Sequence, residues 1–254
     1  MSEGTFQDAM KPALHLGTSG WSYAGWKGKF YPPDLARSEW LSYYASRFST
    51  VEINMTFYRF PKPEAFRRWL ELTPPDFTFT LKANRRITHL KKLRNVKSEV
   101  RYFTILADSL EEKLGCLLFQ LPPQIKKDLN LLDGFLETLS AGYKNVIEFR
   151  HESWYDEVVV DKLRAAGVTF CTVSSVQVPA AMMESSDVAY FRFHGLTGGY
   201  RHRYSDEELA RWAGTIGRAK ARDRFVYFNN DYEAHAVDNC LKLAELLKIG
   251  DKDE

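Results

Sequence analysis

Ionisable side chains recur within short segments that are otherwise apolar or aromatic. Glu52, Lys82, Glu148, Arg150 and Arg192 all lie in such segments. Burial of an unpaired ion costs several kcal/mol, so a chain has little reason to keep these groups there unless they pair or do chemistry. Carboxylates transfer protons, and an amine binds anions or attacks a carbonyl carbon. We therefore predict that Glu52, Lys82 and Glu148 are catalytic residues.

The remaining polar and aromatic residues of these segments suit substrate recognition. Arginine can bind a carboxylate or phosphate through two parallel hydrogen bonds, and histidine adds a further donor. Side-chain amides suit hydroxyl groups, and glycines 195, 198 and 199 follow a predicted strand where many barrels bind phosphate. The predicted substrate-binding residues are Asn54, Gln120, Arg150, Arg192, His194, Asn229, Trp21, Tyr58 and His89.

The elements that must position these residues alternate between strands and helices. The predicted strands are residues 14–17, 50–54, 77–82, 116–120, 145–149, 169–173, 189–194 and 225–229. The predicted helices are residues 38–48, 63–72, 100–113, 129–139, 157–166, 205–221 and 238–249. This alternation indicates a parallel sheet, and 254 residues allow about 32 for each of eight units.

We therefore predict an α/β fold, a (β/α)8 TIM barrel with a single domain. The domain spans residues 14–250, between an N-terminal tail at 1–13 and a C-terminal tail at 251–254. An open doubly wound sheet is the alternative, but the chain lacks its G-x-G-x-x-G motif after the first strand. Side chains alternate along a strand, so the polar set above faces the barrel interior near the strand C-termini, where barrel active sites are assembled.

Seven segments, in order along the chain, resemble the YecE-like family, also called domain of unknown function 72. They are GTSGWSY (17–23), VEINMTFY (51–58), FTLK (79–82), LFQLPP (118–123), EFRHESW (148–154), YFRFHG (190–195) and YFNN (227–230). The resemblance covers nearly the whole chain. It implies a TIM barrel, in agreement with the pattern of strands and helices, and it implies no particular activity.

The preferred function is an enzyme of hydrolase or lyase type that acts on an anionic or phosphorylated polar substrate. Narrower versions are a glycoside hydrolase, with Trp21, Trp26, Tyr58 and Trp154 as aromatic walls, and a Schiff-base enzyme using Lys82. The second version requires that a neighbouring arginine lower the pKa of Lys82, against the opposing effect of Glu52. A non-catalytic ligand-binding barrel is a further alternative.

A nucleic-acid-binding or phosphodiester-processing barrel is the alternative from a different functional class. Residues 82–101 carry eight basic side chains and a single acidic one, and a second basic and aromatic stretch covers residues 200–204. Such stretches can bind a phosphate backbone, although they are more often solvated surfaces. The candidate contacts are Arg85, Arg86, Lys91, Lys92, Arg94, Arg201 and Arg203.

Cofactors and compartment are constrained by what the sequence lacks. We expect no organic cofactor and no metal site, because no recognised spacing of His, Cys or carboxylate ligands occurs; a divalent metal held from dispersed strands stays open. A net charge of +2 excludes a strongly basic or acidic chain. Three widely spaced cysteines and no leader or spanning segment predict a cytoplasmic protein with no membrane partner.

Overall fold

Eight parallel strands form a closed barrel in a computed structural model that describes residues 13–250. Their order around the barrel follows the chain, and β8 pairs with β1 to close it. The predicted TIM barrel is therefore confirmed. The strands are β1 (Ala13–Ser19), β2 (Thr50–Ile53), β3 (Thr78–Lys82), β4 (Leu114–Gln120), β5 (Lys144–Glu148), β6 (Thr169–Ser175), β7 (Val188–Gly195) and β8 (Asp223–Phe228).

The helices cover the outside of the barrel. They are α1 (Trp40–Ala45), α2 (Met55–Tyr58), α3 (Pro63–Glu71), α4 (Lys97–Ala107), α5 (Leu129–Leu136), α6 (Glu157–Ala165), α7 (Asp206–Gly217) and α8 (His235–Gly250). Apolar side chains on their inner faces pack against the outward side chains of the strands. Ser205 begins α7 with the predicted capping box, in which its hydroxyl accepts from the Glu208 amide.

Several predicted boundaries differ from the structure. Helix 38–48 is a 3-10 turn followed by the six-residue α1, and helix 100–113 divides into α4 and a second 3-10 turn. Residue 13, assigned to the N-terminal tail, begins β1 because its amide donates to the carbonyl oxygen of Arg222. Residues 1–12 and 251–254 of the predicted tails lie outside the described range.

Two short turns that sequence periodicity did not predict follow the strands of the candidate site. The helix α2 follows β2, and a π-helical turn, Arg86–Leu90, follows β3. Thr56 of α2 ties these segments together, because its hydroxyl is 2.6 Å from the carbonyl oxygen of Lys82. The ends of β2 and β3 are thus held side by side.

The lower part of the barrel interior is filled, so the polar residues are confined to its upper end. Tyr227 is fully buried, and its hydroxyl lies 2.7 Å from Thr50 Oγ1 and 2.8 Å from Thr80 Oγ1. All three cysteines are buried, as expected for small apolar side chains. Within residues 13–250, no helix has both the length and the apolar character needed to cross a membrane.

Candidate active site at the mouth of the barrel

Arg192 of β7 is the centre of a buried ionic network at the strand C-termini. Its Nε and Nη2 donate to the two carboxylate oxygens of Glu52, at 2.9 and 2.7 Å. Its Nη1 donates to Glu148 and, at 3.1 Å, to Gln120 Oε1. The guanidinium is 1% exposed, and both carboxylates are fully buried. A single cation from β7 therefore joins β2, β4 and β5.

Glu52 has no free acceptor position. Besides Arg192, it accepts hydrogen bonds from Ser19 Oγ at 2.8 Å and from the Tyr190 hydroxyl at 2.6 Å. Burial alone raises the pKa of this carboxyl, but the charge and hydrogen bonds of Arg192 outweigh it and hold the pKa below its ordinary value. Glu52 is therefore ionised at neutral pH, which opposes the acid role considered for it.

The carboxylate of Glu148 is likewise occupied by hydrogen bonds. Its Oε1 accepts from Arg150 Nη1 at 3.1 Å and lies 2.9 Å from His194 Nε2, while Oε2 accepts from Arg192. Burial favours the neutral acid, yet Arg192, His194 and Arg150 together hold the Glu148 pKa well below its usual range. This carboxylate is a fixed negative charge, and the geometry again opposes a role as proton donor.

His194 is held as a neutral imidazole between an acceptor and a donor. Its Nε2 faces Glu148, and its Nδ1 lies 3.1 Å from Asn229 Nδ2. Nε2 also lies 3.2 Å from Nη1 of Arg150 and 3.2 Å from Nη1 of Arg192, so one imidazole nitrogen faces a carboxylate and two guanidinium donors. Burial lowers the pKa of His194 to about 4, despite the opposing charge of Glu148. His194 thus adds no positive charge at neutral pH.

Lys82, at the end of β3, is the one cation of the mouth that the described residues leave without a carboxylate partner. Its Nζ lies 4.6 Å from the centre of the Phe57 ring and makes no hydrogen bond or ion pair within residues 13–250. Burial and then the charge of Arg192 lower the pKa of this ammonium group to about 8, although Glu52 and Glu148 act in the opposite direction.

Two further polar atoms at the mouth are buried without a partner. Arg150 donates through Nη2 to Gln177 Oε1 at 2.6 Å, but its Nε has no acceptor. Asn54 Oδ1 likewise has no donor. An unmade hydrogen bond of this kind costs free energy, so each atom has the capacity for one further partner.

The other predicted binding residues are spread over different environments. His89 packs edge-on against Phe57, with 4.8 Å between ring centres, and burial lowers its pKa. Trp21 packs edge-on against Trp69 beside the barrel. Tyr58 is 69% exposed, so no described side chain encloses it. The structure therefore brings His89 near Lys82 through their shared neighbour Phe57, and it leaves Tyr58 on the surface.

The aromatic walls proposed for a sugar site are only partly available. Trp26 is buried, and its Nε1 donates to Asp231 at 2.6 Å. Trp154 is also buried, stacks on Phe149 and donates to the Ile125 carbonyl oxygen. The prediction that these two rings line the mouth is therefore wrong, because both are part of the packed core.

Sequence reasoning missed three members of the network. The hydroxyl groups of Ser19 and Tyr190 donate hydrogen bonds to the Glu52 carboxylate, and the side-chain oxygen of Gln177 accepts one from Arg150. Strand alternation places Tyr190 inside the barrel and could have suggested a buried partner for its hydroxyl. Gln177 lies in the loop after β6, where no periodicity or motif distinguishes it from other surface residues.

The basic residues proposed for nucleic acid are largely paired with acids. Arg86 and Lys91 both contact Glu99, at 3.0 and 2.7 Å. Arg94 contacts Asp128 at 3.3 Å. In the second stretch, Arg203 contacts Asp238 at 3.3 Å and Arg201 lies over the Tyr232 ring. Arg85 and Lys92 have no ion pair within the described part of the chain.

No cluster of three or more His, Cys, Asp or Glu side chains within residues 13–250 has a geometry that could hold a metal ion. The two carboxylates nearest the mouth are instead saturated by guanidinium, imidazole and hydroxyl donors. A cation placed against them would also meet the charges of Arg150 and Arg192.

Two known proteins are similar in sequence to this chain. UPF0759 protein YunF of Bacillus subtilis is 27% identical over 271 residues, which cover 93% of this chain and 95% of YunF. UPF0759 protein YecE of Escherichia coli is 30% identical over 181 residues, covering 69% of this chain and 64% of YecE.

Solved structures agree with this relationship. A DUF72 family protein from Thermotoga maritima has a TM-score of 0.86 and 33% identity, covering 93% of this chain and 99% of its own. A second, from Enterococcus faecalis, has a TM-score of 0.80 at 20% identity and shows the shared fold. The family model described as protein of unknown function DUF72 matches residues 15–254. The chain therefore belongs to the DUF72 family, as its seven sequence motifs indicated.

Proposed function

We propose that the protein is an enzyme of hydrolase or lyase type that acts on an anionic polar substrate at the mouth of the barrel. The observation that carries this proposal is the excess of positive charge among the groups that surround Lys82. Two carboxylates, Glu52 and Glu148, face three cations, and Lys82 is the cation that neither carboxylate contacts. An anion is the ligand that compensates such a site.

The unpartnered atoms suggest how the substrate binds. The ammonium group of Lys82 and the free Nε of Arg150 provide donors for the anionic group. Asn54 Oδ1 provides an acceptor for a substrate hydroxyl. The Glu52–Arg192–Glu148 network lies beneath the proposed binding site and holds its side chains in place, since each of its groups already has its hydrogen bonds.

The lowered pKa of Lys82 favours a catalytic role over a role in binding alone. A pKa of about 8 populates both the ammonium and the amine forms near neutral pH, which a group that transfers protons or attacks a substrate requires. An anion-binding lysine without a catalytic task needs only the charged form. Lys82 is therefore the proposed reacting residue.

Binding of inorganic phosphate tests the proposal. We expect phosphate, titrated by calorimetry at constant ionic strength, to bind the wild-type protein and to bind Lys82→Met at least tenfold more weakly. Loss of one charge-assisted hydrogen bond costs about 1.5–3 kcal/mol, which corresponds to about a tenfold to hundredfold loss of affinity.

Lys97→Met is the matched control, because Lys97 is exposed at the start of α4 and lies outside the mouth. It should bind phosphate as the wild type does. Equal affinities of Lys82→Met and the wild type would overturn the proposal, as would a wild-type protein that binds no phosphate.

A further inference from the structure

Lys82 differs from a structural lysine of the same protein. The Nζ of Lys113 donates to the carbonyl oxygens of Leu70 and Thr73, both at 2.8 Å, and to the Thr73 hydroxyl at 3.0 Å. Lys82 makes no such bond within residues 13–250, and its nearest described partner is the face of Phe57. The first lysine holds chain segments together, whereas the second lies at the C-terminal end of β3 with no described hydrogen-bond partner for its nitrogen.

The neighbouring acids leave this nitrogen free. The carboxylate oxygens of Glu52 accept from Ser19, Tyr190 and Arg192, so no further strong acceptor faces the lysine. At pH 7, a pKa of about 8 leaves roughly a tenth of the Lys82 side chains as neutral amine. For a lysine with an ordinary pKa near 10.4, the neutral fraction is below about one in a thousand.

We propose that the Nζ of Lys82 forms a Schiff base with the carbonyl carbon of an anionic aldehyde or ketone. The inference rests on the proposed function, since it names the class of anionic substrate that the mouth would accept. The sequence left open that Glu52 keeps the lysine protonated. That alternative has less support, because Glu52 forms its ion pair with Arg192 and the positive charge of Arg192 offsets its effect on Lys82.

The step balances without a further reactant. The nitrogen lone pair attacks the carbonyl carbon, the carbon–oxygen π bond becomes a hydroxyl, and the resulting carbinolamine loses that hydroxyl as water. In sum, an ammonium group and a carbonyl give a protonated imine and water. His89 packs against the same ring as Lys82, and its lowered pKa makes it a neutral base that can carry the proton from nitrogen to the leaving oxygen.

The imine would also define the reaction type. A protonated imine attracts the electron pair of a bond to the adjacent carbon, so that bond can break and leave an enamine, which then takes up a proton. This chemistry favours the lyase version of the proposed function. Arg150, with its free Nε, would hold the anionic group of the substrate while the covalent bond forms.

Trapping with glyoxylate, a small anionic aldehyde, tests the inference. The full chain is incubated at pH 7 with glyoxylate and cyanoborohydride, which supplies the hydride that reduces an imine to a stable carboxymethyl group. Peptide mapping by mass spectrometry then gives the labelling rate of each lysine. We expect Lys82 to react faster than the exposed Lys97 by on the order of a hundredfold, because a large share of Lys82 is neutral amine at pH 7.

Inorganic phosphate should slow the labelling of Lys82 and leave that of Lys97 unchanged, because only the first lies in the anion site. Labelling of Lys82 at or below the rate of Lys97 would overturn the inference. This result comes from the wild-type protein, so it does not depend on the folding of any variant.

Lys82→Arg separates the two proposals. Arginine keeps the positive charge but cannot form an imine, so this variant should bind phosphate more tightly than Lys82→Met while position 82 acquires no adduct. If the wild type binds phosphate but Lys82 is not labelled preferentially, the Schiff base is wrong and the anion site stands. If the wild type does not bind phosphate, the proposed function itself fails.

Discussion

At the scale of single residues, the central feature of the site is that some charged groups are paired and one is not. Arg192 binds both carboxylates, which fixes them as anions and removes them as proton donors. Lys82 is thereby left as the group whose proton can move near neutral pH. We therefore assign the proposed chemistry to the Lys82 amine and not to the two glutamates, because the guanidinium of Arg192 binds both carboxylates.

His194 predicts how stability depends on pH. Its pKa is about 4 in the folded protein against 6.5 when unfolded, so between these values only the unfolded state takes up a proton. The free energy of unfolding should therefore fall as the pH is lowered from 7 to 5, with a contribution of roughly 2 kcal/mol from this group, and the fall should level off below pH 4.

Urea unfolding of the wild type and of His194→Gln at pH 7 and pH 5 measures this contribution. Glutamine can still face Glu148 and Asn229 but does not titrate, so the variant should lose less free energy than the wild type over this interval. The difference isolates His194, since the remaining titrating groups are common to both proteins. Parallel pH profiles would contradict the assignment of His194 as a buried neutral imidazole.

The sequence predicted which residues lie at the site better than it predicted the hydrogen bonds between them. Strand alternation correctly placed Glu52, Glu148 and Arg192 inside one end of the barrel, because each lies on a regular strand. It could not assign partners, since that requires the relative heights of strands distant in sequence. Trp26 was misplaced for a related reason: it lies in a three-residue 3-10 turn, which is too short for periodicity to indicate which way the ring points.

At the scale of elements, the mouth depends on how each strand ends. β7 ends at Gly195 immediately after His194, and Gly195 has a φ of +87°. A β-carbon at this position would lie 1.9 Å from the carbonyl oxygen of Gly199. The chain can therefore turn into the following loop only because position 195 has no side chain.

Gly195→Ala should lower the free energy of unfolding by at least about 2 kcal/mol, since it combines an unfavourable φ with a backbone clash. Gly134→Ala is the matched control: Gly134 lies within α5, and a β-carbon there would meet no atom within 4 Å. That change should stabilise the protein by about 0.5–1 kcal/mol, the helix preference of alanine over glycine. Equal stabilities of the two variants would refute the proposed role of Gly195.

The regular elements were predictable and the short ones were not. All eight strands were predicted within a few residues, because β-branched and aromatic runs separated by helical spacing are repeated around the barrel. The four residues of α2 and the five of the π-helical turn are too short to show a period. Both turns lie beside Lys82, so the missing elements were those that shape the candidate site.

At the scale of the whole molecule, the charges of the basic stretches are partly compensated. The net charge is +2, and Glu99 and Asp128 neutralise part of the surface that follows β3. Nucleic-acid affinity depends on the number of phosphate charges that a protein neutralises, and this number sets its salt dependence. The pairing therefore favours the small-anion proposal over the nucleic-acid alternative.

A salt titration of DNA binding measures this directly. We expect affinity for single- and double-stranded oligonucleotides to be weak and the plot of log affinity against log salt concentration to have a slope smaller in magnitude than about 2. A slope of about 5 or more, reduced by Arg85→Ala, would instead support the nucleic-acid alternative. Lys220→Ala serves as the control for a general loss of charge, since Lys220 is exposed and follows α7.

The closure of the barrel by β1 and β8 has a consequence for how the protein is made. Residue 13 pairs with residue 223, and the cation that neutralises Glu52 and Glu148 arrives only with β7. A nascent chain that has emerged only as far as β5 would lack Arg192 and would have an unpaired edge along β1. The closed barrel and its buried ionic network should therefore form only after β8 has left the ribosome.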